Sequence, residues 1–381
     1  AQHTAPFLTS RSHYDVEKLL RAHCDLFLYC KYPCAKERAG YLLDFAADNL
    51  TAENIFGDNS TEWYTLAESF WDAFEILEIP RAKQMAERFE YREFWDLFYK
   101  DADPFSKRPQ AGLYSEFCHA YSHVNSFNSC AKAYEMTKSP YFLKSLRSFY
   151  RFMQTEEVMA TGGYGPNYEH LMPKNRIIDA LRTGHDSFET QCDTYAAFRL
   201  CKYLTRFTDE PEYGSWVESL LYNAAAATIP MTEEGNIIYY SDYNMYGGYK
   251  KNRRDGWTCC TGTRPLLVAE IQRLIYFEGD GELYISQYIP STLHWNRNGN
   301  DISIRQETGF PEGKETTLIL SLSCSAAFPI HFRLPGWLSG EMKVSCNNVP
   351  LPATVDKNGW LTIHSEWKEG DRLTISLPAE V

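Results

Sequence analysis

The spacing of hydrophobic residues changes once along the chain, near residue 280. Before that point apolar residues recur at intervals of three and four, the period of amphipathic helices. This period predicts helices over the ranges 63–79, 82–99, 119–136, 141–153, 188–207 and 212–227. Prolines and the Gly162-Gly163 pair separate them. Many successive helices without a fixed sequence repeat favour an (α/α) barrel built from helical hairpins.

From about residue 282 the apolar period becomes two, which is typical of half-buried strands. Strands are predicted over 283–289, 301–305, 317–322, 330–334 and 373–377. Turn signals such as Asn298-Gly299 and Asn358-Gly359 lie between them, so this part is predicted to be a β-sandwich. We therefore predict a helical domain over 1–280 and a sandwich domain over 281–381. The chain ends at Val381 directly after a predicted strand, which is compatible with a longer natural protein.

The composition narrows the range of partners. The 381 residues carry a formal net charge of -12, which argues against nucleic acid or an anionic membrane surface as a partner. Since no apolar run approaches 18 residues, membrane insertion is not expected. The compartment stays open between the cytoplasm and a periplasmic or secreted location. The oligomeric state stays open as well, with a homodimer as one alternative.

The adjacent cysteines Cys259 and Cys260 are the most informative local feature. A disulfide between neighbours is strained, whereas thiolates bind soft metal ions or attack as nucleophiles. Glu189 and Cys192 stand at positions i and i+3 of a predicted helix and so share one face. Three thiolates and a carboxylate suit tetrahedral zinc. Each of these residues taken alone also fits an ordinary structural role.

A segment rich in glycine and tyrosine, residues 161–170, lies upstream of this helix. Glycines let the backbone bend close to a ligand. Tyrosine rings offer flat apolar faces with a hydroxyl group, which suit sugar rings. Glu169 in this segment is a candidate general acid. An ordinary surface loop is the alternative interpretation.

These motifs together resemble the DUF1680 superfamily of glycoside hydrolases, which contains the zinc-dependent β-L-arabinofuranosidases of family GH127 and the related GH146. The resemblance covers residues 160–381, and residues 1–110 match only in helical character. The characterised arabinofuranosidases have Glu-x-Cys where this chain has Glu-x-x-Cys. The matching segments, all in the family's order, are Thr161-Gly162-Gly163, Glu189 with Cys192, Leu220-Leu221-Tyr222-Asn223, Cys259-Cys260-Thr261-Gly262-Thr263, Tyr288-Ile289-Pro290-Ser291, Arg333-Leu334-Pro335-Gly336-Trp337, Gly359-Trp360-Leu361-Thr362-Ile363 and Trp367-Lys368-Glu369-Gly370-Asp371.

The resemblance implies an (α/α)6 barrel followed by a β-sandwich. It also implies a retaining exo-glycoside hydrolase that acts on a β-L-arabinofuranoside, or a similar sugar of plant or microbial glycans. Cys259 would be the nucleophile and Glu169 the acid/base. Zinc would be held by Glu189, Cys192, Cys259 and Cys260. The residues expected to bind the sugar or to form the walls of its pocket are His123, Tyr164, Tyr168, His170, His185, Tyr243, Tyr246 and Trp257.

Two other classes of function stay open from the sequence. A sugar epimerase or a polysaccharide lyase on the same barrel would abstract a proton with His or Tyr and would need no cysteine cluster. A non-catalytic glycan-binding protein would carry a closed structural zinc site with no adjoining acid. The position of Glu169 relative to Cys259 distinguishes these classes.

Overall fold

Helices form the first part of the chain and strands the second. The computed structural model describes residues 12–53, 62–105, 118–185, 189–228, 238–252 and 259–380. No helix within these ranges combines the length and apolar composition that a membrane span requires. The helices are α1 (Ser12–Cys30), α2 (Ala35–Asn49), α3 (Leu66–Glu75), α4 (Arg81–Arg88), α5 (Arg92–Tyr99), α6 (Ala120–Thr137), α7 (Pro140–Phe152), α8 (Pro166–Glu169), α9 (Ile177–Thr183), α10 (Gln191–Thr208), α11 (Tyr213–Leu220) and α12 (Cys259–Ile271).

The predicted helices are present, with three differences in their extent. The range 63–79 is a 3-10 turn, Trp63–Thr65, followed by α3, which ends at Glu75. The range 82–99 is two helices, because the chain turns at the buried Phe89 and at Tyr91, whose ring stacks on Tyr64 at 4.7 Å. The apolar period continues through this turn, so it does not mark the break. The range 212–227 is α-helical only as α11 and continues as a π-helical turn, Leu221–Ala225.

The strands form one small hairpin and two larger sheets. The hairpin pairs β1 with β2, the six-stranded sheet has the order β10-β9-β13-β7-β6-β5, and the five-stranded sheet has the order β11-β12-β8-β4-β3. The two larger sheets form the predicted sandwich, so the predicted fold class is confirmed. The strands are β1 (Ile238–Ser241), β2 (Lys250–Asn252), β3 (Tyr276–Gly279), β4 (Glu282–Ile285), β5 (Ser291–Arg297), β6 (Asn300–Thr308), β7 (Glu315–Leu322), β8 (Ala326–Phe332), β9 (Val344–Cys346), β10 (Val349–Pro350), β11 (Thr354–Val355), β12 (Leu361–Trp367) and β13 (Arg372–Ser376).

The chain divides into two compact units. The first comprises Ala1–Leu200 and Asn223–Arg264, and the second comprises Cys201–Tyr222 and Pro265–Val381. The second unit therefore contains α11 in addition to the sandwich. A division of the chain at residue 280 into two domains stays a prediction.

The first unit has a polar as well as an apolar interior. Helix α6 is buried along most of its length, including His123, Asn125 and Asn128. Glu68 of α3 is buried and forms ion pairs with Arg21 of α1 and Arg199 of α10. Because an ion that is buried without a partner costs several kcal/mol, this pairing ties three helices together at one point.

The second unit has an apolar core between its sheets, with alternate side chains of each strand pointing inward. Ile304, Leu320, Ile330 and Ile375 are fully buried there. Arg333, which follows β8, is also fully buried, and its guanidinium group donates to Glu218 of α11. This contact joins α11 to the sandwich strands within the second unit.

Candidate active site

Three cysteine sulfur atoms converge at the N-terminal ends of two helices. Cys192 lies in the first turn of α10, and Cys259 and Cys260 are the first two residues of α12. The three Sγ atoms all lie within 4.8 Å of one another, and those of Cys192 and Cys260 are 3.4 Å apart. Cys192 and Cys260 are buried, whereas Cys259 is exposed. The cysteines in the described part of the chain are all free of disulfides.

The local sequence explains why the cysteine pair opens a helix. Thr263 stands one turn after Cys259, and its hydroxyl group donates to the Cys259 carbonyl oxygen at 3.1 Å. The same hydroxyl oxygen lies 3.1 Å from Cys192 Sγ. Since neighbouring residues on a helix point about 100° apart, one cysteine reaches the interior and the other stays open to solvent.

The electrostatics of the cluster concentrate one negative charge on Cys259. Hydrogen bonds from the thiols of Cys192 and Cys260 lower the pKa of Cys259 to about 3. The bond that Cys192 donates to Cys259 in turn raises the pKa of Cys192. Burial is the largest cause of the raised pKa of Cys260. Of the three cysteines, the exposed one is therefore the one whose thiolate form the cluster favours.

Glu189 lies three residues before Cys192 and is held by two hydroxyl groups. Its Oε2 accepts from Thr161 at 3.1 Å, and its Oε1 accepts from Tyr243 at 3.2 Å. The group of metal-ligating atoms within 4.8 Å of one another contains the three sulfur atoms and not this carboxylate. Burial raises the pKa of Glu189 to about 7, although both hydroxyl bonds oppose the shift. A Cβ atom on Gly163 would lie 2.2 Å from Oε2, so only glycine fits there.

Glu169 is a buried acid at the end of the short helix α8. Its Oε2 lies 3.4 Å from His119 Nε2 and accepts from the Tyr239 hydroxyl group at 3.4 Å. Its Oε1 is buried and has no hydrogen-bond partner among the described residues. The negative charge of Glu169 adds to the raised pKa of Cys260, so the acid and the cluster interact electrostatically.

His119, which the sequence analysis did not select, lies between two acids. Its Nε2 faces Glu169, and its Nδ1 is 3.6 Å from Glu62 Oε1. Burial alone would lower the pKa of His119, but the bond to Glu169 and the charge of Glu62 raise it to about 9. Only one indication in the sequence marks His119 as a site residue, which is its spacing of four residues from His123 at the start of a predicted helix. Its two acidic neighbours, Glu62 and Glu169, are distant along the chain.

Asp193 is a buried acid that, like His119, was not predicted from the sequence. It follows Cys192 directly, and its Oδ2 accepts from the Thr190 hydroxyl group at 2.9 Å. Burial raises the pKa of Asp193, and the charge of Glu169 raises it further. The Tyr164 hydroxyl group donates to the Asp193 carbonyl oxygen at 2.7 Å. Tyr164, selected as a pocket wall, is thus fully buried and braces the start of α10.

The selected histidines lie in three different settings. His123 is buried, its Nδ1 is 2.9 Å from the His119 carbonyl oxygen, and its ring packs against Tyr64 at 4.9 Å. The ring of His170 meets that of His119 edge to face at 5.9 Å, which brings it near Glu169. His185 is half exposed, with Nδ1 2.8 Å from Asp242 Oδ2.

Of the aromatic residues predicted to form the walls of the sugar pocket, the structure places only some at the site. Tyr243 contacts Glu189 directly. Tyr246, with 80% of its surface exposed, makes no enclosing wall in this conformation. Trp257 and the side chain of Tyr168 lie outside the part of the chain that the structure describes.

Comparison with known families matches almost the whole chain. The catalytic-domain model of the GH127 beta-L-arabinofuranosidases matches residues 2–273. The middle-domain model of the same family matches residues 282–379. A curated relative, the non-reducing end beta-L-arabinofuranosidase of Bifidobacterium longum subsp. longum, is 21% identical over 257 residues. That alignment covers 63% of this chain and 37% of the relative, so the chain spans well under half of the relative's length.

Solved structures show the same fold. A GH127 beta-L-arabinofuranosidase from Geobacillus stearothermophilus T6 superposes with a TM-score of 0.74 at 15% identity, covering 97% of this chain and 63% of that one. A structure described as a glycoside hydrolase gives 0.73 at 17% identity, covering 97% and 64%. A GH127 beta-arabinofuranosidase gives 0.64 at 14% identity, covering 98% and 72%. These likenesses agree with the predicted (α/α)6 barrel followed by a β-sandwich.

Proposed function

Because the chain belongs to the GH127 family, whose catalytic-domain model matches residues 2–273, we propose that it is a retaining exo-glycoside hydrolase acting on β-L-arabinofuranosides. One observation carries the proposal beyond the family match. The sulfur atoms of three cysteines converge, one of these residues is exposed, and the charge of the buried acid Glu169 acts on another of them, Cys260. A thiolate and a carboxyl group are the nucleophile and the acid/base that two-step hydrolysis requires.

The cysteine cluster has the chemistry of a soft-metal site. Tetrahedral zinc binds thiolates at about 2.3 Å, so two ligating sulfur atoms stand about 3.8 Å apart. The three sulfur atoms, all within 4.8 Å of one another, fit this spacing. We propose that Cys192, Cys259 and Cys260 hold zinc, which would keep the thiolates ionised when bound. Glu189 is proposed as the fourth ligand, and it would have to release the hydroxyl groups of Thr161 and Tyr243.

The proposed reaction has two steps that share the same residues. In the first, Cys259 Sγ forms a bond to the anomeric carbon while the glycosidic C–O bond breaks and Glu169 gives its proton to the leaving oxygen. In the second, Glu169 takes a proton from water, whose oxygen bonds to the anomeric carbon as the C–S bond breaks. The two inversions together retain the configuration of the sugar.

Binding of the sugar is proposed to involve the polar side chains that surround Glu169 and Glu189. His170 and Tyr243 lie next to these two acids. Their hydrogen-bonding groups can fix the hydroxyl groups of a furanose ring. His123, His185, Tyr164, Tyr168, Tyr246 and Trp257 stay as proposed contacts that only a complex with a sugar can test.

The decisive experiment combines metal analysis with one substitution. The purified chain is expected to contain one zinc ion and to hydrolyse 4-nitrophenyl β-L-arabinofuranoside. Cys259→Ser should lower turnover by roughly six orders of magnitude, the scale seen when a catalytic nucleophile is removed. The matched control is Cys324→Ser, because Cys324 is an exposed free cysteine. It should leave turnover unchanged.

Three outcomes would overturn all or part of the proposal. Full activity of Cys259→Ser would exclude the cysteine as nucleophile and favour a proton-abstracting enzyme such as an epimerase or a lyase. Full activity of the metal-free protein would exclude the role of zinc. If the chain binds arabinofuranosides and zinc but shows no turnover on any aryl glycoside, a glycan-binding protein becomes the better interpretation.

A further inference from the structure

The backbone pairs the segment around His119 with the segment that follows Glu169. His119 and His170 form an antiparallel bridge, and the Leu171 N–H donates to the Cys118 carbonyl oxygen at 2.8 Å. This pairing places the imidazole ring beside the carboxyl group, with Nε2 3.4 Å from Glu169 Oε2. The approach is thus built into the main chain and does not depend on a single flexible contact.

The two carboxyl oxygens of Glu169 have different surroundings. Oε2 faces the His119 ring and accepts a hydrogen bond from Tyr239. Oε1 is buried without a hydrogen-bond partner among the described residues, and Glu169 as a whole is more than nine-tenths buried. One oxygen is therefore held by two protein groups, and the other has no such partner among the described residues.

The far side of the His119 ring is also held. Nδ1 lies 3.2 Å from Ser122 Oγ and 3.6 Å from Glu62 Oε1. The Ser122 backbone nitrogen lies 3.4 Å from the same ring nitrogen, at the start of α6. The other charged groups that act on this region are Asp193 on the ring and Lys18, Cys259 and Glu17 on Glu62.

We propose that His119 is a positioning residue that holds Oε2 of Glu169, so that Oε1 is the oxygen that exchanges the catalytic proton. The inference rests on the proposed role of Glu169 as acid/base. His119 keeps its own proton throughout, and Glu62 orients the ring from the opposite side, as an acid orients a histidine in other catalytic sites. Loss of this support lets the carboxyl group rotate, and a misplacement of about 1 Å can cost about 10²-fold in rate.

The test uses the dependence of the rate on the leaving group. Proton donation matters for a poor leaving group, such as methanol, and hardly for 2,4-dinitrophenolate, which leaves without a proton. His119→Asn keeps a favoured helix-capping side chain but is too short to reach Glu169. In the full chain, this variant should lower kcat/KM about 10²-fold for methyl β-L-arabinofuranoside. For the 2,4-dinitrophenyl glycoside the loss should stay below about 3-fold, since the acid assists little there.

Three further variants make the result specific. His119→Gln carries an amide N–H near the position of Nε2 and should recover at least about tenfold of the loss, as a restored hydrogen bond would. Tyr239→Phe removes the other donor to Oε2 and should shift the leaving-group dependence in the same direction. The matched control is His331→Asn in the sandwich, where His331 also lies between two acids, Glu282 and Asp356. It should leave the ratio of the two rates unchanged.

Glu169→Gln, measured in parallel, separates the two hypotheses. If Glu169→Gln leaves the leaving-group dependence unchanged, the proposed role of Glu169 fails, and this inference fails with it. If Glu169→Gln shifts the dependence but neither His119→Asn nor Tyr239→Phe does, His119 has no positioning role and the proposed function stands. Zinc content and circular dichroism of each variant identify those that have lost their fold. If His119→Asn has lost its fold, the leaving-group dependence of Tyr239→Phe decides whether the hold on Oε2 matters.

Discussion

Glu157 shows how strongly burial acts on a single residue of this chain. It is fully buried. Both of its carboxyl oxygens accept a hydrogen bond from the Met172 backbone N–H, and each lies 3.1 Å from the Met172 nitrogen. Burial raises its pKa well above the ordinary value of 4.5, although the bond from Met172 opposes the shift. The folded protein therefore keeps Glu157 protonated at pH values where the unfolded chain has already lost that proton.

This shift predicts a pH-dependent effect of Glu157→Gln on stability. Above pH about 4.5 the unfolded wild-type chain is ionised at Glu157 while the folded one is not, so stability falls as pH rises, by at most about 1.4 kcal/mol per pH unit. Glutamine keeps an acceptor for Met172 and cannot ionise. The stability of the variant relative to the wild type should therefore rise by up to about 3 kcal/mol between pH 5 and pH 7, measured by urea denaturation.

The control for this prediction is Glu341→Gln, because Glu341 is exposed. It should not change the dependence of stability on pH. A constant difference between Glu157→Gln and the wild type across the same range would show that the buried carboxyl group does not titrate on unfolding.

At this scale the sequence identified residue types better than it identified partners. Cys192, Cys259 and Cys260 were selected because thiols have few uses other than packing, metal binding and nucleophilic attack. His119 was missed because the two acids that give it meaning are 57 and 50 residues away along the chain. Such pairs arise from tertiary packing, on which local sequence patterns carry no information.

At the scale of the elements, the glycine-rich segment packs closely against Glu189, just before α10, and this contact can be tested. A Cβ atom on Gly163 would lie 2.2 Å from Glu189 Oε2 and 2.9 Å from Cδ. The carboxyl group cannot move away freely, because the hydroxyl groups of Thr161 and Tyr243 hold it. Gly163→Ala should therefore displace Glu189 and lower stability by about 1–3 kcal/mol, as overpacking does. Urea denaturation measures the loss, and zinc content shows whether the displaced carboxyl group is a ligand.

Gly336→Ala is the matched control for this prediction. Nothing lies within 4 Å of a Cβ atom added at Gly336, so the variant should be as stable as the wild type and hold the same amount of zinc. An unchanged stability of Gly163→Ala would mean that Glu189 can leave its two hydroxyl partners at little cost.

The ends of elements were harder to predict than their type. The range 283–289 has a continuous strand pattern, but β4 ends at Ile285. The chain turns there because the Ser286 N–H bonds the Ile275 carbonyl oxygen and the buried Gln287 side chain donates to the Gly214 carbonyl oxygen. Helix α12 went unpredicted for the opposite reason, since its sequence contains Pro265 and little periodic signal.

At the scale of the whole molecule, the division into two units follows buried polar contacts as well as the change from helix to strand. Arg333, next to β8, is fully buried and bonds Glu218 of α11 and the Ser286 carbonyl oxygen. The Trp337 indole N–H also donates to Glu218. The hydrophobic period could not assign α11 to the second unit, because its helical pattern is the same as that of the helices in the first unit.

The division into two units predicts which helices and strands lose stability when a buried ion pair is broken. Glu218→Ala leaves Arg333 buried with its charge unpaired, which should cost about 3–5 kcal/mol. Glu68→Ala should cost a similar amount because it removes the ion pair of the buried Arg199, although Arg21 keeps its pairs with Glu17 and Asp72. Because local stability follows cooperative units, Glu218→Ala should lower the hydrogen-exchange protection of the sandwich strands β4 and β8. Glu68→Ala should lower the protection of α3 and α6 and leave the strands unchanged.

The reciprocal pattern is what distinguishes two folding units from one. If the chain unfolded in a single cooperative step, either substitution would reduce the protection of the slowest-exchanging amides in both units by the same free energy. Lys83→Ala serves as the surface control, since the pair that Lys83 forms with Glu87 is exposed on α4 and should contribute no more than about 0.5 kcal/mol. If Glu218→Ala lowers the hydrogen-exchange protection of α6 and of β8 equally, the chain unfolds as one cooperative unit. In that case the division into two units describes its geometry but not its stability.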